Sequence, residues 1–249
     1  MGYGKTIVTS LLIMLMIFFM TGCSKNENEL VLVTEAGFAP YEYYEDGKIV
    51  GVDIDIAKEI AKELGKELVV KDVSFDFVIN EVKSGKADFA AAGISITKER
   101  AEEVDFTVEY TASNQVVVVK KDSSIKKFDD IKDKRIAVQL GTVADLYVEE
   151  NYKNATVVSH KKYLSAVESV KTGKADCIVM DELPAKEIVK ENDNLMILDG
   201  ILFQDRYGMI VRKGNDELRE KINAVLKRMV NDGTIKDLVI KHSKWGYYE

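Results

Sequence analysis

Cysteine, histidine, proline and tryptophan are all scarce in this 249-residue chain, with two, two, two and one of each. Two cysteines, Cys23 and Cys177, are too few for the disulfide framework that holds small secreted domains together. With His160 and His242 in unrelated contexts they also give no metal-ligand spacing, so neither a structural metal nor a cofactor is expected. No Pro/Gly-rich stretch divides the chain, which argues against independent domains on a flexible join. Positive charge is in deficit, 35 Lys and Arg against 42 Asp and Glu for a net charge of −7, which excludes a nucleic-acid partner as the natural reading. A membrane-spanning run is missing too: the uncharged, mostly apolar stretch from Ile7 to Met20 falls short of the about 20 residues a bilayer crossing needs.

That short run has a different meaning. Lys5 precedes it and the small residues Thr21 and Gly22 follow it, which gives the three parts of an export signal. Met20-Thr21-Gly22-Cys23 resembles the lipobox of bacterial lipoproteins, which implies removal of residues 1–22 and acylation of Cys23. Residues 23–29 then form a hydrophilic tether, and the protein is expected outside the cytoplasm, lipid-anchored to the cell membrane. An ordinary secretory signal with a nearby cysteine is the competing reading. With Cys23 acylated, Cys177 has no partner and acts as a small buried hydrophobe within Cys177-Ile178-Val179-Met180.

What is abundant is apolar residues, 46% of the chain, enough for a sizeable core. Their arrangement repeats. Val82-Lys83-Ser84-Gly85-Lys86-Ala87-Asp88 recurs as Val170-Lys171-Thr172-Gly173-Lys174-Ala175-Asp176, each time after a helix-like segment and before an apolar run. In both copies glycine suits the left-handed residue that ends a helix. A fainter echo pairs residues 30–37 with 135–142. Helix-period patterns over 52–64, 76–84, 143–151, 163–172 and 216–231 alternate with strand-like runs at 30–34, 68–70, 89–92, 135–139, 156–159 and 177–180. This βαβαβ pattern, present twice, predicts an α/β fold of two lobes, each a mainly parallel sheet flanked by helices. Extended segments 115–120 and 207–212 are the candidates for a two-strand hinge. The expected division is 30–117 for the first part of lobe 1, 118–210 for lobe 2 and 211–249 for the return to lobe 1. Ligands in open α/β sheets bind beyond the carboxyl ends of strands, so two such sheets face a common cleft.

Phe38-Ala39-Pro40-Tyr41, Gly51-Val52-Asp53-Ile54-Asp55, Gly93-Ile94-Ser95-Ile96-Thr97-Lys98-Glu99-Arg100, Val104-Asp105-Phe106-Thr107, Val138-Gln139-Leu140-Gly141-Thr142 and Asn231-Asp232-Gly233-Thr234 stand in order along the chain. Together they resemble the family 3 extracellular solute-binding proteins, the polar amino-acid receptors of ABC importers, which have the type II periplasmic-binding-protein fold. The resemblance implies that Arg100 holds a ligand's α-carboxylate through the planar fork of its guanidinium. It implies Asp181 for the α-ammonium, with Gly93, Ser95, Thr142 and Val143 completing the grip. Val143 stands where the family often has a second threonine, so it offers only a backbone N–H. Phe38 and Phe75 fall where the family sandwiches the ligand's side chain, an arrangement suited to a flat amide or guanidinium. Glu35, with Gln139 opposite, favours arginine or another basic amino acid and leaves glutamine or cystine open. A membrane permease and its ATPase follow as partners, and a monomer is expected.

Two other classes share such a fold. A dehydratase-like enzyme would need acids or a nucleophile in the cleft, and neither histidine sits in a recognisable catalytic motif. A ligand-sensing module would be followed by a membrane helix, whereas this sequence ends at Trp245-Gly246-Tyr247-Tyr248-Glu249, which favours a free-standing receptor.

Overall fold

The computed structural model describes residues 26–243; the expected export signal, Cys23 and the final residues 244–249 lie outside the described residues. The strands are β1 (Glu29–Thr34), β2 (Tyr43–Glu45), β3 (Lys48–Val50), β4 (Glu67–Asp72), β5 (Phe89–Ala90), β6 (Val104–Phe106), β7 (Thr111–Lys120), β8 (Arg135–Gln139), β9 (Thr156–His160), β10 (Cys177–Asp181), β11 (Leu195–Ile197), β12 (Phe203–Tyr207) and β13 (Ile210–Arg212). The helices are α1 (Val52–Glu63), α2 (Phe75–Lys83), α3 (Lys98–Glu103), α4 (Val143–Asn151), α5 (Tyr163–Lys171), α6 (Glu182–Lys190), α7 (Asp216–Asn231) and α8 (Thr234–His242).

Local chemistry accounts for the elements. In α1 the residues Ile56, Ala57, Ile60 and Ala61 are buried, one stripe of a 3.6-residue period, and Asp53 and Asp55 in the first turn suit the positive end of the helix dipole. In β1 four consecutive apolar residues, Leu30 to Val33, are all buried, as a strand covered on both faces requires. Each fully buried side chain of this kind contributes about 1.5–3 kcal/mol. Pro184 falls in the first turn of α6, where its missing N–H costs no hydrogen bond.

The strands form two large sheets and a small hairpin of β2 and β3. The first sheet has the order β4-β1-β5-β13-β6 and the second β11-β7-β10-β8-β9, with β12 paired to β7. Each sheet is mainly parallel in strand direction, as expected, with one strand reversed. β4, β1, β5 and β6 point one way, with β13 reversed between β5 and β6; β9, β8, β10, β11 and β12 point one way, with β7 reversed against β10, β11 and β12. Each βαβαβ half is parallel as read; β7 and β13, the strands entered directly after each passage between the lobes, are the two that run reversed.

The same passage differs from the expected hinge. β7 belongs along its whole length to the second sheet and β13 to the first, so the expected boundaries at 117/118 and 210/211 fall inside strands. The two crossing segments run side by side just before β7 and just after β12: Thr107 N–H donates to Met209 O, Tyr110 N–H to Tyr207 O and Gly208 N–H to Ile94 O.

The internal repeat has a concrete counterpart. Asp88 accepts at 2.8 Å from Val31 N–H through Oδ2 and donates its own N–H to Val31 O. Asp176 does the same with Arg135, at the same two distances. Gly85 and Gly173, at φ 73° and 75°, turn the chain from helix to strand ahead of each aspartate. The two motifs therefore staple the last strand of each βαβαβ half to the start of its first strand.

Candidate functional site: the cleft between the sheets

Glu35 follows β1, Gly93 and Ser95 follow β5, Gln139 ends β8 with Thr142 and Val143 just beyond, and Asp181 ends β10. These are carboxyl ends of parallel strands from both sheets, where open α/β sheets place their ligands. Phe75 opens α2, and Arg100 lies in α3, whose N-cap Thr97 accepts the Arg100 N–H at 3.2 Å. All ten candidate residues line a single cavity between the lobes, with about 290 Å³ of empty space counting its mouth. Glu42, Ala92 and Tyr163 complete its lining.

Arg100 is 8% exposed and holds no ion pair among the described residues. Its Nη1 donates to Ser95 O at 2.8 Å and its Nη2 reaches across to Gly141 O at 3.0 Å, while the guanidinium lies 5.5 Å from the centre of the Phe75 ring. Burial lowers the Arg100 pKa from its ordinary value. Beside it, Thr142 caps α4, accepting from Asp145 N–H at 3.2 Å, and Val143 is the first residue of that helix. N–H groups of a first helical turn have no acceptor inside the helix and attract anions. A buried guanidinium and a helix start thus share one end of the cavity.

Asp181 stands on the other lobe, 5% exposed. Its Oδ1 accepts from Ser113 Oγ and Gln115 Nε2, both at 2.7 Å, and from the Tyr207 hydroxyl; its Oδ2 accepts from the Tyr163 hydroxyl at 3.4 Å. Burial raises the carboxyl from its ordinary range and these donors pull it back. Asp205, whose Oδ2 accepts from Ser95 Oγ, is pushed up to about 7 by burial and by the charge of Asp181.

Glu35 is 1% exposed and meets lobe 2 twice. Gln139 Nε2 donates to its Oε2 at 3.2 Å, and Lys162 Nζ forms ion pairs 3.1 Å from its Oε1 and 3.6 Å from Asp72 Oδ2. Burial still raises the Glu35 pKa above the ordinary range. The aromatic rings divide differently from a simple sandwich: Phe38 stacks on Tyr163 at 5.4 Å and 20°, and Phe75 takes the Arg100 guanidinium. Gly93, at φ 54°, lies under Phe38; a Cβ there would sit 2.5 Å from the ring's Cε1, so only glycine lets the ring lie down. Among the described residues no group of three His, Cys, Asp or Glu side chains is placed to hold a metal ion.

Glu42, Tyr163, Lys162 and the donors around Asp181 were not singled out from sequence. Tyr163 was within reach: the offset that carries Val82 to Val170 carries Phe75 to Tyr163, and both open the helix before the repeated motif.

Residues 30–245 match the bacterial extracellular solute-binding proteins, family 3. The chain belongs to that family. It is 30% identical over 232 residues to the arginine-binding extracellular protein ArtP of Bacillus subtilis, covering 90% of this chain and 89% of that one. The amino-acid ABC transporter substrate-binding protein AbpA of Streptococcus pneumoniae, solved bound to L-arginine, superposes with a TM-score of 0.84 at 33% identity over 88% of this chain and 95% of that one. An ancestral arginine-binding protein, solved with glutamine, gives 0.82 at 38% identity over 87% and 98%. Family 3 membership makes this an extracytoplasmic amino-acid-binding protein of ABC import, a carrier of its substrate and not an enzyme. The cleft between two mixed α/β lobes is the fold such proteins share.

Proposed function

We propose that the cleft captures a basic amino acid, arginine before others, and hands it to a membrane permease driven by an ATPase. The observation that carries the reading is the pair Arg100 and Asp181: one buried cation and one buried anion, from opposite lobes, lining one cavity. A zwitterion supplies the complement to both. Its carboxylate replaces neutral carbonyls as the partner of Arg100 and takes N–H groups at the start of α4, with Thr142, Val143, Ser95 and Gly93 as its polar surround. Its ammonium goes to Asp181. Because each end is held by a different lobe, the ligand stabilises the closed arrangement over the open one.

The side-chain preference rests on Glu35. Its present partner Lys162 is 41% exposed on a flexible stem and has Asp72 as an alternative, so a ligand guanidinium can take its place. Phe38, Phe75 and Tyr163 offer flat apolar faces for the planar group. The arginine-bound relative supports this direction, and the glutamine-bound ancestral protein supports a pocket of the same size for a neutral amide. We take residues 108–110 and 208–209 as the hinge, the protein as a monomer, and Cys23 as its lipidated anchor.

A thermal-shift screen with all twenty amino acids and cystine tests the ligand, since a cleft ligand raises the melting temperature by mass action. Arginine should give the largest rise; a larger rise with a neutral or acidic amino acid would reject the basic preference. The anchor is tested by fractionation: Cys23→Ala should move the protein out of the membrane fraction, and unchanged retention counts against lipidation.

A further inference from the structure

Glu42 is fully buried, lines the cavity, and has no donor reaching either carboxylate oxygen among the described residues. It sits on the short turn after Phe38, whose N–H donates to Glu42 O. Facing it are Asp53 at the start of α1, Glu35 at the end of β1 and Asp181 at the end of β10, with the hydroxyls of Tyr41 and Tyr110 beside it. All three charged neighbours are acids. The nearest basic side chains of the site are committed elsewhere, Lys162 to Glu35 and Arg100 to Ser95 O and Gly141 O.

Two buried carboxylates side by side with no cation cannot both stay ionised. Asp53 has what an anion needs: Tyr110 OH donates to its Oδ1 at 2.8 Å and Gly93 N–H to its Oδ2 at 3.2 Å. Glu42 has neither. A hydrogen bond between Glu42 and the neighbouring Asp53 carboxyl requires a proton on one of them, and Asp53 already has two donors, so the proton falls to Glu42. Burial and these acids hold the Glu42 carboxyl well above the usual carboxylate range, in agreement with the geometry.

The proton leaves a neutral carboxyl at the wall of the ligand cavity, and a ligand's own cation can take over its role of neutralising the carboxylate. We propose that Glu42 is a specificity-determining residue that exchanges its proton for the distal cation of a basic amino acid, and keeps the proton when a neutral ligand is bound. The exchange balances: the carboxyl becomes a carboxylate paired with the ligand's guanidinium or ammonium, and one proton passes to solvent. The inference rests on the amino-acid clamp proposed above and adds to it a chemical reason for telling arginine from glutamine. At Glu35 the ligand's cation has Lys162 to displace, whereas at Glu42 the same cation has nothing to displace but a proton.

Titration calorimetry with arginine and with glutamine, in phosphate and in Tris at one pH, reads the proton directly. For the wild-type protein the heat of arginine binding should differ between buffers by the equivalent of about one released proton, glutamine heat should not, and arginine affinity should rise with pH. In Glu42→Gln the buffer dependence for arginine should vanish and its affinity fall about tenfold or more, while glutamine stays within about threefold. Buffer-independent arginine binding to the wild type overturns the assignment even if the variant fails to fold. So does proton release that survives in Glu42→Gln, or a wild type that binds glutamine and not arginine; each of these leaves the clamp itself standing. Absence of binding by any amino acid to the wild type overturns clamp and assignment together.

Discussion

A guanidinium at 8% exposure whose acceptors are two uncharged carbonyls has lost much of its hydration and, among the described residues, gained no carboxylate in direct contact. Arg100 is therefore the residue with most to gain from a carboxylate. Arg100→Ala should cost several kcal/mol of amino-acid affinity, at least a hundredfold, because the ligand's carboxylate would then be buried unpaired. Near-wild-type affinity by calorimetry would remove it from the clamp. At this scale the sequence was readable where a residue sits in a distinctive string. Arg100 follows Ser-Ile-Thr-Lys-Glu and Thr142 precedes a helical pattern; the structure adds that Thr97 and Thr142 cap their helices. Glu42 does not: nothing in Tyr41-Glu42-Tyr43 distinguishes a fully buried acid from a solvated one, since charged residues are ordinarily exposed. Its burial is decided by α1 and by the cleft, through contacts distant in sequence.

Among the elements, those with strong local periodicity came out close to their expected bounds. The strand at 135–139 and the helices at 143–151 and 216–231 were legible because hydrophobic spacing and capping agree there. Strand direction was legible for each βαβαβ half, and only β7 and β13, entered on crossing between the lobes, run against it. Three-residue β6 and β13 carry no signal of their partners, which lie far away along the chain. Helix α8 was not expected; Gly233, at φ 82°, follows the end of α7 and serves as N-cap to α8. The repeated aspartates give a prediction at this scale. Asp88→Ala removes the acceptor of the Val31 N–H inside the first lobe and should destabilise the protein by about 1–3 kcal/mol, measurable by urea unfolding. Amino-acid affinity of the folded fraction should be retained, since Asp88 lies outside the cavity lining. A loss of affinity without loss of stability would contradict the staple.

For the molecule as a whole, the cleft is closed by a handful of contacts: Arg100 to Gly141 O, Gln139 to Glu35, and Lys162 to Glu35 and Asp72. Lys162 is partly exposed, so its share is small, on the order of 1 kcal/mol or less. That is enough to shift an open–closed balance severalfold. In Lys162→Ala the radius of gyration of the ligand-free protein, by small-angle scattering, should rise toward the open form; an unchanged value would mean the latch is idle.

The crossing also dictates an order of assembly. The second sheet draws its strands, β7 to β12, from one continuous stretch, whereas the first needs β13 at its middle, between β5 and β6. A chain emerging amino-end first on the far side of a membrane therefore delivers the whole of lobe 2 before lobe 1 can close. Until residue 210 arrives, β5 and β6 have exposed edges open to other chains. A version truncated after residue 207 should show protease protection over 111–207 and cleavage over 30–106. Equal protection of both would mean that the first lobe forms without its returning strand. The lobe closest to the amino terminus is then the one that finishes last, so an export chaperone has most to guard in residues 30–106.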